Sequence, residues 1–250
     1  MLQAFGNGTL FGERTGDGPV QVLWLHGWGR SHRDFSQAAA LLATHGVASV
    51  ALDFPGFGAS PLPSVAGGAR WYAELLRPVL TELSDQPLIV VGHSFGGRVA
   101  AVLAATEPPP LRGVVFTGAP LVKREGARRS PWPYRVLRAL HRAHLVPATV
   151  MESARQRYGS RDYRNASGLL RDILVATVNE SYEPELGRIA VPTTMVWGED
   201  DHDVPLSSAS RAAALLRVPP TVDVVSNCGH LVPTTQPQAL VDAVWALVQQ

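Results

Sequence analysis

Ser94 stands in Gly92-His93-Ser94-Phe95-Gly96, a G-x-S-x-G pentapeptide, and this is the place in the chain where covalent chemistry is best prepared. Leu88-Ile89-Val90-Val91, just before it, is a short apolar, β-branched run that reads as a buried strand. Gly97 to Ala105, just after it, reads as a helix. A serine at such a strand-to-helix turn is held exposed in a strained backbone, and glycines on either side let strand and helix approach closely enough to make the turn. The chemistry this implies is nucleophilic attack on an acyl carbon, with a covalent acyl-serine intermediate.

A serine hydroxyl is a weak nucleophile near neutral pH, so it needs a base, and the base needs an orienting group. Histidine is the natural base, and the chain has eight. His230 is the expected one: it follows the last strand-like run in Asn227-Cys228-Gly229-His230-Leu231-Val232-Pro233. His93 lies inside the elbow, where the nucleophile's neighbours point elsewhere. His26 belongs to a glycine-rich loop, and His32, His45, His141 and His144 carry no further site signal. The orienting acid is expected between Ser94 and His230 in chain order, in Trp197-Gly198-Glu199-Asp200-Asp201-His202-Asp203-Val204-Pro205. Asp201 is favoured, three residues after Gly198 and three before Val204, with Asp200 and then Asp203 as the alternatives. Acids in such turns that do not orient a base commonly accept backbone N–H bonds.

Negative charge developing on the acyl oxygen needs donors placed in advance. The backbone N–H of Phe95, next to the nucleophile at a helix N-terminus, is one. Leu25-His26-Gly27-Trp28-Gly29 supplies the second, expected from the amide of Trp28, because two glycines let the main chain turn toward the site.

The elements that must carry these residues alternate along the chain. Val22–Leu25, Val47–Leu52, Leu88–Val91, Gly113–Phe116, Thr194–Trp197 and Thr221–Val225 are predicted strands. Asp34–His45, Ala69–Leu83, Gly97–Glu107, Ser207–Leu216 and Pro237–Val248 are predicted helices. Alternation of this kind predicts a mostly parallel sheet with helices on both faces, and such sheets build their sites at the carboxyl ends of the strands.

The alternation breaks between residues 120 and 190, which read as a helical cap inserted into a core made of residues 1–119 and 191–250. Tyr134–His144 and Gly168–Asn179 are its helix-compatible pieces. Trp132, Tyr134, Leu137, Leu140, Met151 and Tyr158 are available either to line a pocket or to pack the cap's own core. From Leu121 to Arg171 twelve Lys and Arg face only three acids, a net charge of +9 that leaves −8 for the rest of the chain. Such asymmetry either draws in an anionic partner or is an ordinary solvated face with some arginines paired to the acidic body.

The net charge of +1 over 250 residues gives no overall reason to expect nucleic acid. No apolar run approaches the roughly 18 residues of a membrane helix, and no secretory signal is read at the N-terminus, so the expected location is cytoplasmic. Cys228 is the single cysteine, which excludes an internal disulfide. The histidines do not cluster at ligand spacings and the G-x-G-x-x-G fingerprint is absent after the first strand, so neither a metal nor another cofactor is expected.

The order Ser94, Asp201, His230 with His26-Gly27-Trp28-Gly29 upstream resembles the α/β-hydrolase fold superfamily through nearly the whole chain. Asp53-Phe54-Pro55-Gly56-Phe57-Gly58-Ala59-Ser60 is similar to that family's D-x-P-G-x-G-x-S turn, which implies a structural role for Asp53. The segments Pro192–Glu199 and Gly229–Pro233 are also similar to family patterns around the acid and the base, and in cap-bearing members the acid lies three residues after the glycine, which supports Asp201. A serine in the elbow separates the chain from dehalogenases and epoxide hydrolases, which use aspartate there. The resemblance implies an α/β-hydrolase fold with a helical cap and a serine esterase acting on a small-molecule ester. His26-Gly27-Trp28-Gly29, a single cap and the length are similar to pimeloyl-carrier-protein methyl ester esterases, and a basic cap would suit an acidic carrier protein. Thioesterase, lactonase or carbon–carbon-bond hydrolase chemistry with the same three residues, and a non-catalytic ligand-binding member of the fold, are the alternatives.

Overall fold

The computed structural model describes residues 1–106, 111–123, 132–158 and 161–250. Chain order begins with β1 (Leu2–Phe5), β2 (Leu10–Thr15) and β3 (Val20–Leu25), then α1 (Ser36–Thr44), β4 (Ala48–Asp53), α2 (Ala69–Leu83), β5 (Leu88–His93), α3 (Phe95–Ala104) and β6 (Leu111–Thr117). The strands join in one sheet of eight, completed by β7 (Thr193–Gly198) and β8 (Thr221–Val225), in the order β1-β2-β4-β3-β5-β6-β7-β8. All pairings from β4 through β3 to β8 are parallel, as the alternating pattern predicts. β4, β5 and β7 are buried along their whole length, which is why they lack the alternation of a half-buried strand.

The hairpin β1–β2 is an addition to the expected elements. It pairs antiparallel with itself and with β4, and its turn uses positive φ at Gly6, Asn7 and Gly8. β1 buries only Phe5, so its residues carry little hydrophobic pattern.

Helices cover both faces. One core is formed by β-strand residues with α2 and α3, among them Leu23, Leu52, Phe54, Tyr72, Leu76, Phe95 and Val99. The other is formed with α1 and the last helix, among them Trp24, Phe35, Leu42, Val91, Val196 and Val244.

Between β6 and β7 the described chain is helical: α4 (Trp132–Arg142), α5 (Ala148–Tyr158), α6 (Arg161–Asn165), α7 (Gly168–Asn179) and α8 (Glu183–Leu186). The last core helices are α9 (Leu206–Ala213), α10 (Val232–Thr235) and α11 (Pro237–Val248). In the helical segment Met151 is fully buried and Tyr134 meets Tyr158 edge to face, whereas Trp132 is 74% exposed and neither packs a core nor lines an enclosed pocket. Of its charges, Arg155 and Arg171 pair with Glu152 within the segment rather than with the core. Arg124, Glu125, Arg128 and Arg129 lie outside the described residues. Among the described residues no helix is long and apolar enough to cross a membrane.

Candidate active site

Ser94 sits between β5 and α3 with φ 50° and ψ −108°, a conformation that side-chain-bearing residues rarely adopt and that costs roughly 1–3 kcal/mol. Its surroundings hold it there. The Ser94 N–H donates to the carbonyl of Thr117 at 2.9 Å, and its own carbonyl accepts from Gly97 and Arg98 in the first turn of α3. The crossing is tight: a Cβ on Gly92 would lie 2.5 Å from the Gly96 carbonyl oxygen, and one on Gly96 would overlap the Leu25 carbonyl. The helix begins at Phe95, two residues earlier than the sequence pattern predicts, because glycines at 96 and 97 are helical here for reasons of space rather than propensity.

His230, in the loop after β8, donates from Nδ1 to Oδ2 of Asp201 at 2.8 Å. Asp201 is buried, and its other oxygen, Oδ1, accepts the N–H groups of Asp203 and Val204 at 3.0 and 2.8 Å. The carboxylate is thus fixed by its own loop and presents one oxygen to the imidazole. This leaves Nε2 of His230 with a free lone pair in the neutral ring. Glu199, Asp200 and Asp203 are all exposed, so Asp201 alone of the four acids reaches His230. Gly118, at φ +55°, is packed against this pair: a Cβ there would stand 2.9 Å from Cε1 of His230 and 3.4 Å from Oδ2 of Asp201. Among the described residues the Ser94 side chain forms no hydrogen bond; the backbone carbonyl of His230 accepts from Nε2 of His93, the residue before Ser94, at 3.0 Å.

The loop after β3 packs against Ser94. A Cβ on Gly27 would come within 3.4 Å of Cβ of Ser94. His26 pins this loop: its Nδ1–H donates to the Gly27 carbonyl and its Nε2 accepts from the Phe54 N–H at 3.0 Å. Burial pushes the His26 pKa down to about 4, which keeps the ring neutral and able to accept. Among the described residues neither the Trp28 N–H nor the Phe95 N–H has a hydrogen-bond acceptor. Their side chains close an aromatic cluster with Phe54, Phe57 and Tyr72. Asp53 is fully buried and accepts from the N–H and Nδ1 of His32 and from the Ala59 N–H, all of which belong to the turns flanking the loop.

A model described as "Alpha/beta hydrolase family" matches residues 22–243. The chain belongs to the alpha/beta hydrolase family. This alpha/beta hydrolase is 25% identical over 248 residues to 2-hydroxy-6-oxononadienedioate/2-hydroxy-6-oxononatrienedioate hydrolase of Cupriavidus pinatubonensis, covering 86% of this chain and 82% of that one. It is 29% identical over 244 residues to 2-succinyl-6-hydroxy-2,4-cyclohexadiene-1-carboxylate synthase of Salmonella paratyphi B, covering 91% and 93%. Its fold matches the crystal structure of bromoperoxidase from Bacillus anthracis with a TM-score of 0.76 at 20% identity, over 100% of both chains.

Beside the acid loop the hydrolase has a cavity of about 470 Å³ lined by Arg98, Leu121, Val122, Tyr182, Val204 and Pro205 among others; Ser94 and His230 are not in its wall. Arg98, one turn beyond Ser94 on α3, spans from the elbow helix to the helical segment: it donates to the Thr177 carbonyl at the end of α7 and stacks over the Tyr182 ring. Burial lowers the Arg98 pKa, against the opposing pull of Tyr182 and Glu180. Tyr182 in turn donates to Glu180, which accepts the first N–H of α2 at Ala69. The sequence pattern carries no sign of this clasp, because its members are far apart in the chain, Ala69 and Glu180 by 111 positions.

Proposed function

We propose that this hydrolase cleaves carboxylic esters with Ser94 as nucleophile, His230 as general base and acid, and Asp201 as the group that orients the imidazole. The observation that carries the reading is the buried Asp201 carboxylate holding Nδ1 of His230 beside a serine kept at positive φ. Oγ of Ser94 attacks the acyl carbon while Nε2 of His230 takes its proton. The tetrahedral intermediate collapses, the proton passes to the departing alkoxide, and an acyl-Ser94 ester remains. Water, deprotonated by His230, then attacks that ester and releases the acid, and the proton returns to Ser94. The Trp28 and Phe95 N–H groups stabilise the oxyanion, a contribution of about 2.7–4 kcal/mol per donor in comparable sites.

Residues 120–190 act in this reading as a cap over the core of residues 1–119 and 191–250, and the 470 Å³ cavity between them takes part of the substrate. The exposed face of α4 presents Arg135, Arg138 and Arg142 with Trp132 and Val136 along a groove, and it suits an acidic carrier protein delivering the acyl group. No cofactor or metal enters the chemistry. A single cysteine fits a reducing compartment, and we assign the enzyme to the cytoplasm.

The test is pre-steady-state hydrolysis of short-chain p-nitrophenyl esters. Wild type should give a burst of p-nitrophenol approaching one equivalent, and Ser94→Ala should give none; equal rates for the two proteins would remove Ser94 from the mechanism. Carbon–carbon bond hydrolysis by the same residues is the second reading, favoured by the likeness to the Cupriavidus hydrolase. Relative kcat/KM on esters and on vinylogous diketone acids separates the two.

A further inference from the structure

His93 is buried one residue before the nucleophile, and the mechanism above gives it no part. Its backbone is fixed by the β5–β6 ladder, where it pairs with Thr117. Its side chain reaches across to the loop after β8. A carbonyl oxygen only accepts, so the 3.0 Å contact with the His230 carbonyl requires the proton on Nε2 of His93. Nδ1 is then the unprotonated nitrogen. It is buried with no donor and faces Gly27, where a Cβ would stand 2.8 Å away. Burial and the neighbouring His230 push the His93 pKa down to about 3, so the ring stays neutral in a single tautomer.

A phenyl or alkyl side chain would fill this space without leaving a buried nitrogen unpartnered. The ring present carries that cost together with one directed bond, and the bond goes to the backbone of the residue whose side chain is the base. We propose that His93 is a positioning residue that seats the His230 backbone against the nucleophile elbow. The inference rests on the assignment of Ser94 and His230 made above. Asp201 fixes the imidazole through Nδ1 and His93 fixes the main chain that carries it, so Nε2 is held from both ends at its distance from Ser94. The His93 and His230 rings lie 4.9 Å apart, so the two side chains also pack against each other.

The experiment compares full-length wild type, His93→Phe, His93→Asn and His93→Gln, each titrated with a fluorophosphonate probe and then assayed on p-nitrophenyl butyrate per labelled site. His93→Phe keeps the ring and removes the donor. His93→Asn is polar but too short to reach the carbonyl, and it carries the test if the phenylalanine variant does not fold. His93→Gln restores an N–H donor at nearly the same reach. The expected result is a fall in kcat of roughly 30- to 100-fold for Phe and Asn, the scale of a misplacement near 1 Å, with KM within about twofold of wild type. Gln should recover to within about fivefold. Wild-type kcat in His93→Phe or His93→Asn, or a loss in Gln equal to theirs, would overturn the proposal. Failure of the probe to label wild type at Ser94 would instead overturn the hydrolase reading, and the positioning role with it.

Discussion

The indole of Trp28 meets the phenyl ring of Phe95 edge to face, with centroids 5.7 Å apart and planes at 87°. Among the described residues neither amide has a protein acceptor, and the side chains lock together the two loops that carry them. Trp28 also abuts Phe57 at 4.9 Å, and Phe95 abuts Phe54 and Tyr72 at 5.1 Å each. Trp28 is half-buried and Phe57, Phe54, Tyr72 and Phe95 are buried, so packing against these rings, rather than the flexible glycines that flank Trp28, sets the spacing of the two amides.

Trp28→Ala should leave the fold intact and loosen that spacing. Only the side chain is removed and the amide stays, so an effect on rate reports position rather than chemistry. We expect kcat to fall roughly 10- to 100-fold, larger than the change in KM, in steady-state ester hydrolysis. Trp28→Phe, which keeps an aromatic edge against Phe95, should lose less.

Asp201→Asn should retain the two N–H bonds from Asp203 and Val204 through its carbonyl, and so should fold. What it loses is an acceptor for Nδ1–H of His230. The imidazole then turns or changes tautomer, and Nε2 no longer offers its lone pair to Ser94. A drop in kcat on the order of 10³ to 10⁴ is expected, with burst amplitude lost and substrate affinity kept. Comparable activity in wild type and variant would point to Asp200 or Asp203 instead.

These expectations show where the sequence was informative. Strand and helix order, the elbow, and the His230–Asp201 pair are all visible in it, because each rests on short-range pattern: an apolar run, a glycine spacing, a loop after a strand. Asp201 could be favoured but not separated from Asp200 and Asp203 by pattern, since the choice depends on which carboxylate the turn buries. The contacts of His93 and Arg98 were not visible at all. Each is a bond to a backbone carbonyl, of His230 and Thr177 respectively, and a carbonyl has no residue type to read. The β1–β2 hairpin escaped for a different reason: β1 lies at the sheet edge and buries a single side chain.

Acid should unfold the protein earlier than its carboxylates alone would. His26 is held neutral by burial, its pKa lowered to about 4, while in the unfolded chain it titrates near 6.5. Between those values the unfolded state binds the proton and the folded state does not, so stability rises with pH through the window and is lost as pH falls through it. Urea midpoints measured near pH 7, 6 and 5 should decline. His26→Gln, though less stable throughout, should show a shallower decline, by up to about 1.4 kcal/mol per pH unit. Parallel slopes for the two proteins would mean that His26 is charged in the fold.

If the α4 face receives an acidic carrier, rates on an acyl-carrier substrate should fall as salt rises from about 50 to 300 mM, while rates on p-nitrophenyl butyrate should not. Replacing Arg135, Arg138 and Arg142 by serine should cost about tenfold or more in kcat/KM on the carrier substrate and remove most of its salt dependence. Each of these arginines is exposed, so the variant should fold normally.

The bond from His93 to His230 joins positions 137 residues apart, and the one from Asp201 to His230 closes on a loop that exists only once β8 has paired with β7. If Ser94 and His230 act as proposed, no fragment ending before β8 contains a competent site, however well its own strands pair. Activity would then report on long-range pairing: in a refolding reaction it should return with the slowest such pairing and not with the earlier gain of helix, and during synthesis it should be absent until β8 and the loop after it have been made.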